Sequence, residues 1–481
     1  MPTRPPFHWT WYGFMIGLAI AVAAVVSPLH RGITGDTLWH LADGRWILAH
    51  HRIPQVNPFG WSTGKTPWIN IEWGWDVVTA WLVDTLGRAG ITLWLAALIG
   101  GLAWVQHRRW NALNIGDLAQ GDWIFLTLLG TSVFWAWRPQ LVSYAMVPLW
   151  LYTLEQAPTH LRKLWWLLPE LFVWQLFHGG YVLGLLCLGL WGLDYTVTWW
   201  TTRPTSFPWR LALGIGIGLG LVLGLTPWGW NDIGHALWEI ANPIISRDIA
   251  EWQSPNFHSL WWLGLIGVPT VAIGVQMWRH PQVRDQVSRF QWLIWAAFLG
   301  GTLLSVRNYP FFAEQCAILG AGLGVWHPAQ RTPPLNRWVM LGILAVLGFA
   351  VTPEVRAWEQ VHTGISPRIA AFLRQPAHAG RVLNGYRAGD GLVYLGIPDS
   401  LDGRTDLYTA THPDWFVVSE AAESGTMPWP RLHQWLQHEQ VRYVLWPTAR
   451  AGTEELLGRP GITPLMRGDG LMLLQVHPPR P

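Results

Sequence analysis

WGWDVVTAWLVDTLG, residues 73–87, is the stretch on which the topology turns. Read as a membrane span, it is short and carries Asp76 and Asp84. It would also put Arg108 and Arg109 outside the cytoplasm and invert every later loop. Inner loops of membrane proteins carry an excess of Lys and Arg. We therefore read 73–87 as a helix lying in the outer interface.

With that choice made, apolar runs near 11–28, 90–106, 122–137, 139–156, 163–179, 180–200, 209–226, 259–278, 290–306, 309–327 and 335–352 read as spans. They make about eleven, each long enough for a hydrocarbon core of roughly 30 Å. The run 163–200 is divided at Gly179–Gly180, because one unbroken helix there would extend about 57 Å. With the N-terminus in the cytoplasm, the inner loops hold Arg4; Arg108 and Arg109; Arg162 and Lys163; Arg203; Arg279, Arg284 and Arg289; Arg331 and Arg337. Every inner loop is then basic. No small-residue cleavage site follows the first run, which reads as an uncleaved helix.

The fold class expected is an α-helical polytopic inner-membrane protein with a small extracytoplasmic α/β domain. Two domains follow: 1–352 in the membrane, with long outer loops at 29–89 and 227–258, and 353–481 outside. In the second, strands are expected at Arg381–Leu383, Val441–Trp446 and Leu471–Val476. Helices are expected at Pro413–Glu423, Trp429–Glu439 and Thr453–Leu457, with turns at Asp402-Gly403 and Gly468-Asp469-Gly470.

Composition agrees. Hydrophobic residues make up 51% of the 481 and charged residues 13%, where a soluble domain carries about 25% charge. The net charge of +3 and the lack of a basic stripe exclude nucleic acid as a partner. The two Cys lie in apolar runs, which excludes a disulfide framework or a Cys-based metal site. Trp favours membrane interfaces, and many of the 39 Trp stand at run edges; no function is read from their number. There is no P-loop, HExxH, GxSxG or paired CxxC, so no nucleotide is expected as a ligand. Chemistry on the outer face would need a donor delivered through the membrane.

The ionisable residues expected near the outer surface are Asp36, His40, Asp43, Arg45, Glu72 and Asp76 in the first loop, Arg138 and His178 at span junctions, Arg247, Asp248 and Glu251 in the second loop, and Arg307 at another junction. A charge at membrane depth is costly unless paired or facing water, and it marks function by default. In GDTLWHLADGR (35–45), Asp36, His40 and Asp43 fall on one face if Asp36 opens a helix; an N-cap is the plainer role for Asp36, and a structural one for His40. Glu72 precedes the interfacial helix, where the dipole alone favours an acid. Arg138 and Arg307 read as phosphate clamps, since a guanidinium matches phosphate geometry, or as arginines snorkelling to headgroups. QLFHGGY (175–181) puts His178 beside two glycines that let backbone approach a ligand or simply make a hairpin. EWQSP (251–255) sets Glu251 beside Trp252, which suits a sugar or an interfacial anchor.

Several segments together resemble a group of bacterial membrane proteins in the GT-C glycosyltransferase superfamily, distantly related to protein O-mannosyltransferases and lipid-A aminoarabinose transferases. They are GDTLWHLADGRWI (35–47), HRIPQVNPFG (51–60), IEWGWD (71–76), RPQL (138–141), HGGYVLG (178–184), EWQSP, RNYPFF (307–312) and DGRTDLY (402–408). The resemblance implies a GT-C-like membrane domain, a polyprenyl-phosphate-linked sugar donor and transfer outside the cytoplasm. It implies an acid of the first outer loop as catalytic group: Asp36, with Glu72 as second candidate. The first loop has no Asp-x-Asp or Glu-x-Asp pair, so no metal ligands are assigned; a divalent metal, Mg or Mn, stays open as cofactor.

The activity expected is an extracytoplasmic, inverting glycosyltransferase. Asp36 and Glu72 are its catalytic candidates, and His40, Arg138, His178, Glu251 and Arg307 would bind substrate. The donor is lipid-linked, membrane lipid is a further partner, and the acceptor is open. A flippase for a lipid-linked glycan and a non-catalytic assembly protein are the competing readings.

Overall fold

In the computed structural model the described residues are 13, 15–19, 35–63, 66–202, 207–281, 287–323, 362–411 and 413–477. The chain forms two compact units, one of residues 1–30 and 92–358, the other of 31–91 and 359–481. The sequence reading kept 29–89 as a loop of the membrane domain; here residues 31–91 pack with the C-terminal segment instead.

The first segment of that unit is a helical pair, α1 (Thr37–His50) and α2 (Trp73–Leu86). Leu38, Leu41, Ile47, Trp75 and Ala80 are buried between and around them. Gly44 sets their approach: a Cβ there would collide with the Asp76 carbonyl and the Ala80 side chain. The stretch 73–87 is thus a helix of 14 residues, about 21 Å long, too short to cross a bilayer.

The other unit is helical throughout its described part. It contains α3 (Arg88–Ala112, shared at its start with the first segment), α4 (Asp117–Thr131), α5 (Gln140–Gln156), α6 (Leu167–Gln175), α7 (Tyr181–Thr202), α8 (Trp209–Leu223), α9 (Asn231–Ala241), α10 (Leu260–Arg279), α11 (Arg289–Leu304) and α12 (Tyr309–Gly322). Among the described residues three segments are long and apolar enough to cross a membrane: Ala89–Ala112, Tyr181–Thr202 and Leu260–Arg279. The spans expected at 122–137, 139–156, 163–179, 209–226, 290–306 and 309–327 each hold a shorter helix, of 9 to 17 residues. Tight 3₁₀ turns at Ser132–Phe134, Leu161–Trp166 and Val306–Asn308 shorten several of them. The run at 335–352 and most of that at 11–28 lie outside the described residues. The break expected at Gly179–Gly180 is present, between α6 and α7. At the centre α12 is buried along nearly its whole length against α4 and α11. Arg109, expected in an inner loop, stands in the last turn of α3, 1% exposed, with two hydrogen bonds to Glu155 at 2.7 and 3.0 Å.

The C-terminal segment is α/β. Its helices are α13 (Pro367–Leu373), α14 (Tyr386–Tyr394), α15 (Thr405–Thr411), α16 (Pro413–Glu423), α17 (Trp429–His438) and α18 (Ala451–Leu456). Its strands β1 (Arg381–Asn384), β2 (Val441–Pro447), β3 (Ile462–Gly468) and β4 (Leu471–Val476) form a sheet in the order β1-β2-β4-β3. β1 and β2 are parallel and the other pairs antiparallel. β2 is an almost unbroken apolar run because both faces are covered: Tyr443 and Leu445 join one core with Ile369 and Leu392, and Val444 and Trp446 join the other with Leu432 and Leu456. β3 was not expected. Its Pro464 weakens the strand signal, yet Pro is tolerated on an edge strand, and the register shifts there. Asp469 and Gly470, both at positive φ, close the hairpin to β4, as a two-residue turn requires.

Arg404 binds the two segments of this unit. It is 1% exposed and ion-paired with Asp402, donates to Asn57 Oδ1 at 2.8 Å, and lies 4.8, 5.2 and 5.9 Å from the rings of Trp68, Phe59 and Trp39. Tyr408 donates towards Asp399 and Asp402 at 3.1 and 3.2 Å. Burial pushes Asp402 up, but Arg404 outweighs it and holds the carboxyl below its usual range. Removing one partner of a buried pair costs about 3–5 kcal/mol. Arg404→Met is therefore expected to lower the thermal unfolding midpoint and expose residues 31–91 to protease; an unchanged midpoint would show that Arg404 is not the clasp.

Candidate functional site

Three of the cationic or His candidates stand just ahead of helix N-termini. Arg138-Pro139 leads into α5, and Pro at a helix start supplies the right φ without wasting an N–H. His178-Gly179-Gly180 leads into α7, and Arg307 lies in the turn before α12, which carries Pro310 in its first turn. Each helix N-terminus carries roughly half a positive charge and unpaired N–H groups, a setting that favours an anion.

Glu251 joins these ends. Its Oε2 accepts from Arg138 Nη1 at 2.8 Å, and its Oε1 lies 3.6 Å from Arg307 Nη1. Arg307 Nη2 is 3.3 Å from His178 Nε2, and His178 Nδ1 is 2.7 Å from Ser143 Oγ. A guanidinium only donates, so Arg307 presents a donor to Nε2, and the Gly180 N–H donates to Nδ1 at 3.1 Å. Trp174 Nε1 also donates to Ser143 Oγ, at 2.8 Å. The Trp252 ring covers Arg307 at 4.7 Å. Burial raises Glu251, but the charges of Arg138 and Arg307 outweigh it and hold its carboxyl below the usual range. Arg138, Arg307 and Glu251 keep 29, 22 and 28% of their side-chain surface exposed, so the cluster is open to a ligand. Four of the seven candidates therefore meet. Ser143 and Ser305, which donates to the Glu251 carbonyl at 3.0 Å, carried no signal in the sequence.

The other three candidates, Asp36, His40 and Glu72, lie in the unit of residues 31–91 and 359–481. Asp36 stands at the N-cap of α1 and Glu72 at that of α2, yet neither side chain makes a capping hydrogen bond. Capping, the plainer reading of Asp36, is thus not what its carboxylate does. It lies against Gly403: a Cβ added there would stand 2.5 Å from Asp36 Oδ1 and 2.9 Å from Asp390 Oδ1. Gly403 also donates its N–H to Asp390, at 2.8 Å. The DGRTDLY segment thus reaches Asp36, a contact no spacing in the sequence revealed.

His40 turns inward, 2% exposed, with Nδ1 2.5 Å from Asp76 Oδ1 and Nε2 3.9 Å from Glu72. Asn70 Nδ2 donates to Asp43 at 2.8 Å and to Asp76 at 2.7 Å. Burial, then the charge of Asp76, raises Asp43 well above the usual range, and burial raises Asp76 to about 8. Among the described residues no three His, Cys, Asp or Glu side chains come together to hold a metal ion.

No family model matches the chain, and no curated protein matches it in sequence. Solved structures do. The oligosaccharyltransferase of Archaeoglobus fulgidus in the apo form superposes with a TM-score of 0.57, at 10% identity over 91% of this chain and 69% of that one. The chain shares that fold. The same archaeal enzyme tethered to an acceptor peptide gives 0.54, and its complex with an inhibitory peptide and a dolichol-phosphate gives 0.51, with the same identity and coverage. A distant GT-C relationship is what the motifs pointed to, and at this identity the likeness establishes fold.

The raised carboxyls carry a sign. A folded state that keeps a proton on Asp76 binds more of them than the unfolded chain between about pH 4 and 8, so this contribution to stability is full below about pH 4 and is lost as pH rises towards 8, and Asp43, raised by the same burial, acts in the same direction. Asp43→Asn, which mimics the protonated form, is expected to flatten that decline, read as unfolding midpoints at pH 5 and 8. A decline as steep as wild type's would mean that Asp43 is not the proton carrier.

Proposed function

We propose that the chain is a membrane glycosyltransferase that takes a sugar from a polyprenyl-phosphate carrier on the extracytoplasmic face and passes it to an acceptor hydroxyl with inversion. The observation that carries this reading is the cluster of Arg138, Arg307 and His178 at three helix N-termini. Two guanidiniums, three helix dipoles and an open side suit a phosphate. The fold supports it, since the archaeal oligosaccharyltransferase of the same fold has been solved in complex with a dolichol-phosphate and tethered to an acceptor peptide.

Asp36 is the general base in this reading. It takes the proton of the acceptor hydroxyl as that oxygen bonds to the anomeric carbon. The bond from that carbon to the phosphate oxygen breaks, its electron pair stays on the oxygen, and polyprenyl phosphate leaves. Arg138 and Arg307 meet the charge that grows on the leaving phosphate. Glu72, partly exposed and without a capping role, is the second acid. His40 is proposed to act through Glu72 and Asp76 rather than on substrate.

General base help is worth about 10²–10⁴ in rate. With purified protein and a labelled polyprenyl-phosphate sugar, Asp36→Asn is expected to lose transfer by that factor and keep donor affinity; near wild-type turnover would remove Asp36 from the chemistry. Arg138→Ala is expected to weaken donor binding at least tenfold, measured by direct titration, and unchanged affinity would remove the cluster from the donor site. The buried Arg109–Glu155 pair favours a transport reading, because charges inside a membrane bundle often line an ion or substrate path. Transfer in detergent, without a sealed vesicle, decides between the two.

A further inference from the structure

The interior of the helical unit holds a second set of charges, separate from the arginine cluster. Arg109, in the last turn of α3, gives Nε and Nη2 to Glu155 at 3.0 and 2.7 Å. Its contacts to Gln106 and Gln315 are long, at 3.3 and 3.4 Å. Glu314, on α12, is 2% exposed, and neither of its oxygens has a hydrogen-bond partner among the described residues. Arg109 is the charged side chain that acts on it. The other charged or titratable groups on elements packed against α12 are placed differently. Arg279 on α10 and Arg289 on α11 are exposed, and Asp122 on α4 is half-buried. Arg307 belongs to the cluster with Glu251. Tyr144 on α5, within electrostatic reach of Glu314, is a phenol whose buried hydroxyl likewise finds no hydrogen-bond partner there.

One guanidinium cannot neutralise two carboxylates. A carboxylate withdrawn from water without a partner costs far more than one that holds a proton. The C-terminal ends of α3 and α5 lie beside the Arg109–Glu155 pair and add partial negative charge, so a second carboxylate there is costlier still. We propose that the bundle contains a proton-binding site in which Glu155 and Glu314 share Arg109, and the acid not paired with it carries an exchangeable proton. In this structure Glu155 holds the guanidinium, which puts the proton on Glu314. The other arrangement needs a swing of Arg109. The Glu314 O–H bond breaks, its electron pair stays on the carboxylate that now meets Arg109, and Glu155 takes up a proton. Glu155 keeps 15% of its side chain exposed, so it is the acid that meets water and Glu314 is the store. Acids inside a membrane bundle mark proton relays and ion paths by default. The inference does not depend on what the arginine cluster binds.

The test is infrared difference spectroscopy on the full-length protein in lipid nanodiscs at pH 7, where a protonated carboxyl shows a C=O stretch above the amide band. Wild type minus Glu314→Gln is expected to leave one such band, and the band is expected to shift in heavy water because the proton exchanges. In Glu155→Gln the guanidinium loses its partner. Glu314 is then expected to ionise against Arg109, and its band, assigned by subtracting the double variant, to disappear. The site is overturned if wild type shows no Glu314 band, if the band stays put in heavy water, or if it survives Glu155→Gln. Should Glu155→Gln fold poorly, wild type supplies a second arm. Dicyclohexylcarbodiimide reacts with protonated carboxyls in apolar surroundings, and peptide mass spectrometry is expected to find it on Glu314 and not on Glu155. An unlabelled Glu314 overturns the proposal.

Discussion

A guanidinium or carboxylate withdrawn from water must find an opposite charge, and both units of this chain are organised by that requirement. In one, Arg404 is buried in a cage of Trp39, Phe59 and Trp68 and neutralised by Asp402. Its aromatic partners come from residues 31–91 and its carboxylate from the C-terminal segment, so neither piece buries the charge without the other. In the second unit, Arg138 and Arg307 share Glu251 and are placed by helix ends. The first arrangement is sealed and the second is open, and that difference separates a structural clasp from a candidate binding site.

The sealed network also explains why the DGRTDLY segment matters so far along the chain. Its Arg404 fastens the first segment, while its Gly403 leaves room for the carboxylates of Asp36 and Asp390. A residue with any side chain at 403 would push one of those acids away. The C-terminal segment is thus part of what sets the position of Asp36.

Much of this was legible in the sequence. The periodic apolar runs, the Gly179–Gly180 break and the strands at 381, 441 and 471 follow from local patterns, and Arg138, His178, Glu251 and Arg307, expected near the ends of separate runs, do meet. What was not legible depends on long-range packing. The edge strand at 462–468 is masked by Pro464 and exposed polar positions. The burial of His40 depends on Asp76 and Asn70, which a helical face drawn for α1 alone does not include. The association of residues 31–91 with the C-terminal segment rests on an arginine and an asparagine 347 positions apart, for which no spacing rule exists. Among the described residues three helices are long and apolar enough to cross a membrane, and 3₁₀ turns interrupt several of the other runs.

The phosphate site is tested most directly by a cryo-electron microscopy map of the protein in a lipid nanodisc with a polyprenyl-phosphate sugar bound. The headgroup phosphate is expected within hydrogen-bond distance, about 3 Å, of both Arg138 and Arg307, with Glu251 still in place beside it. A well-ordered headgroup bound elsewhere, with those two arginines still paired with Glu251, would contradict it.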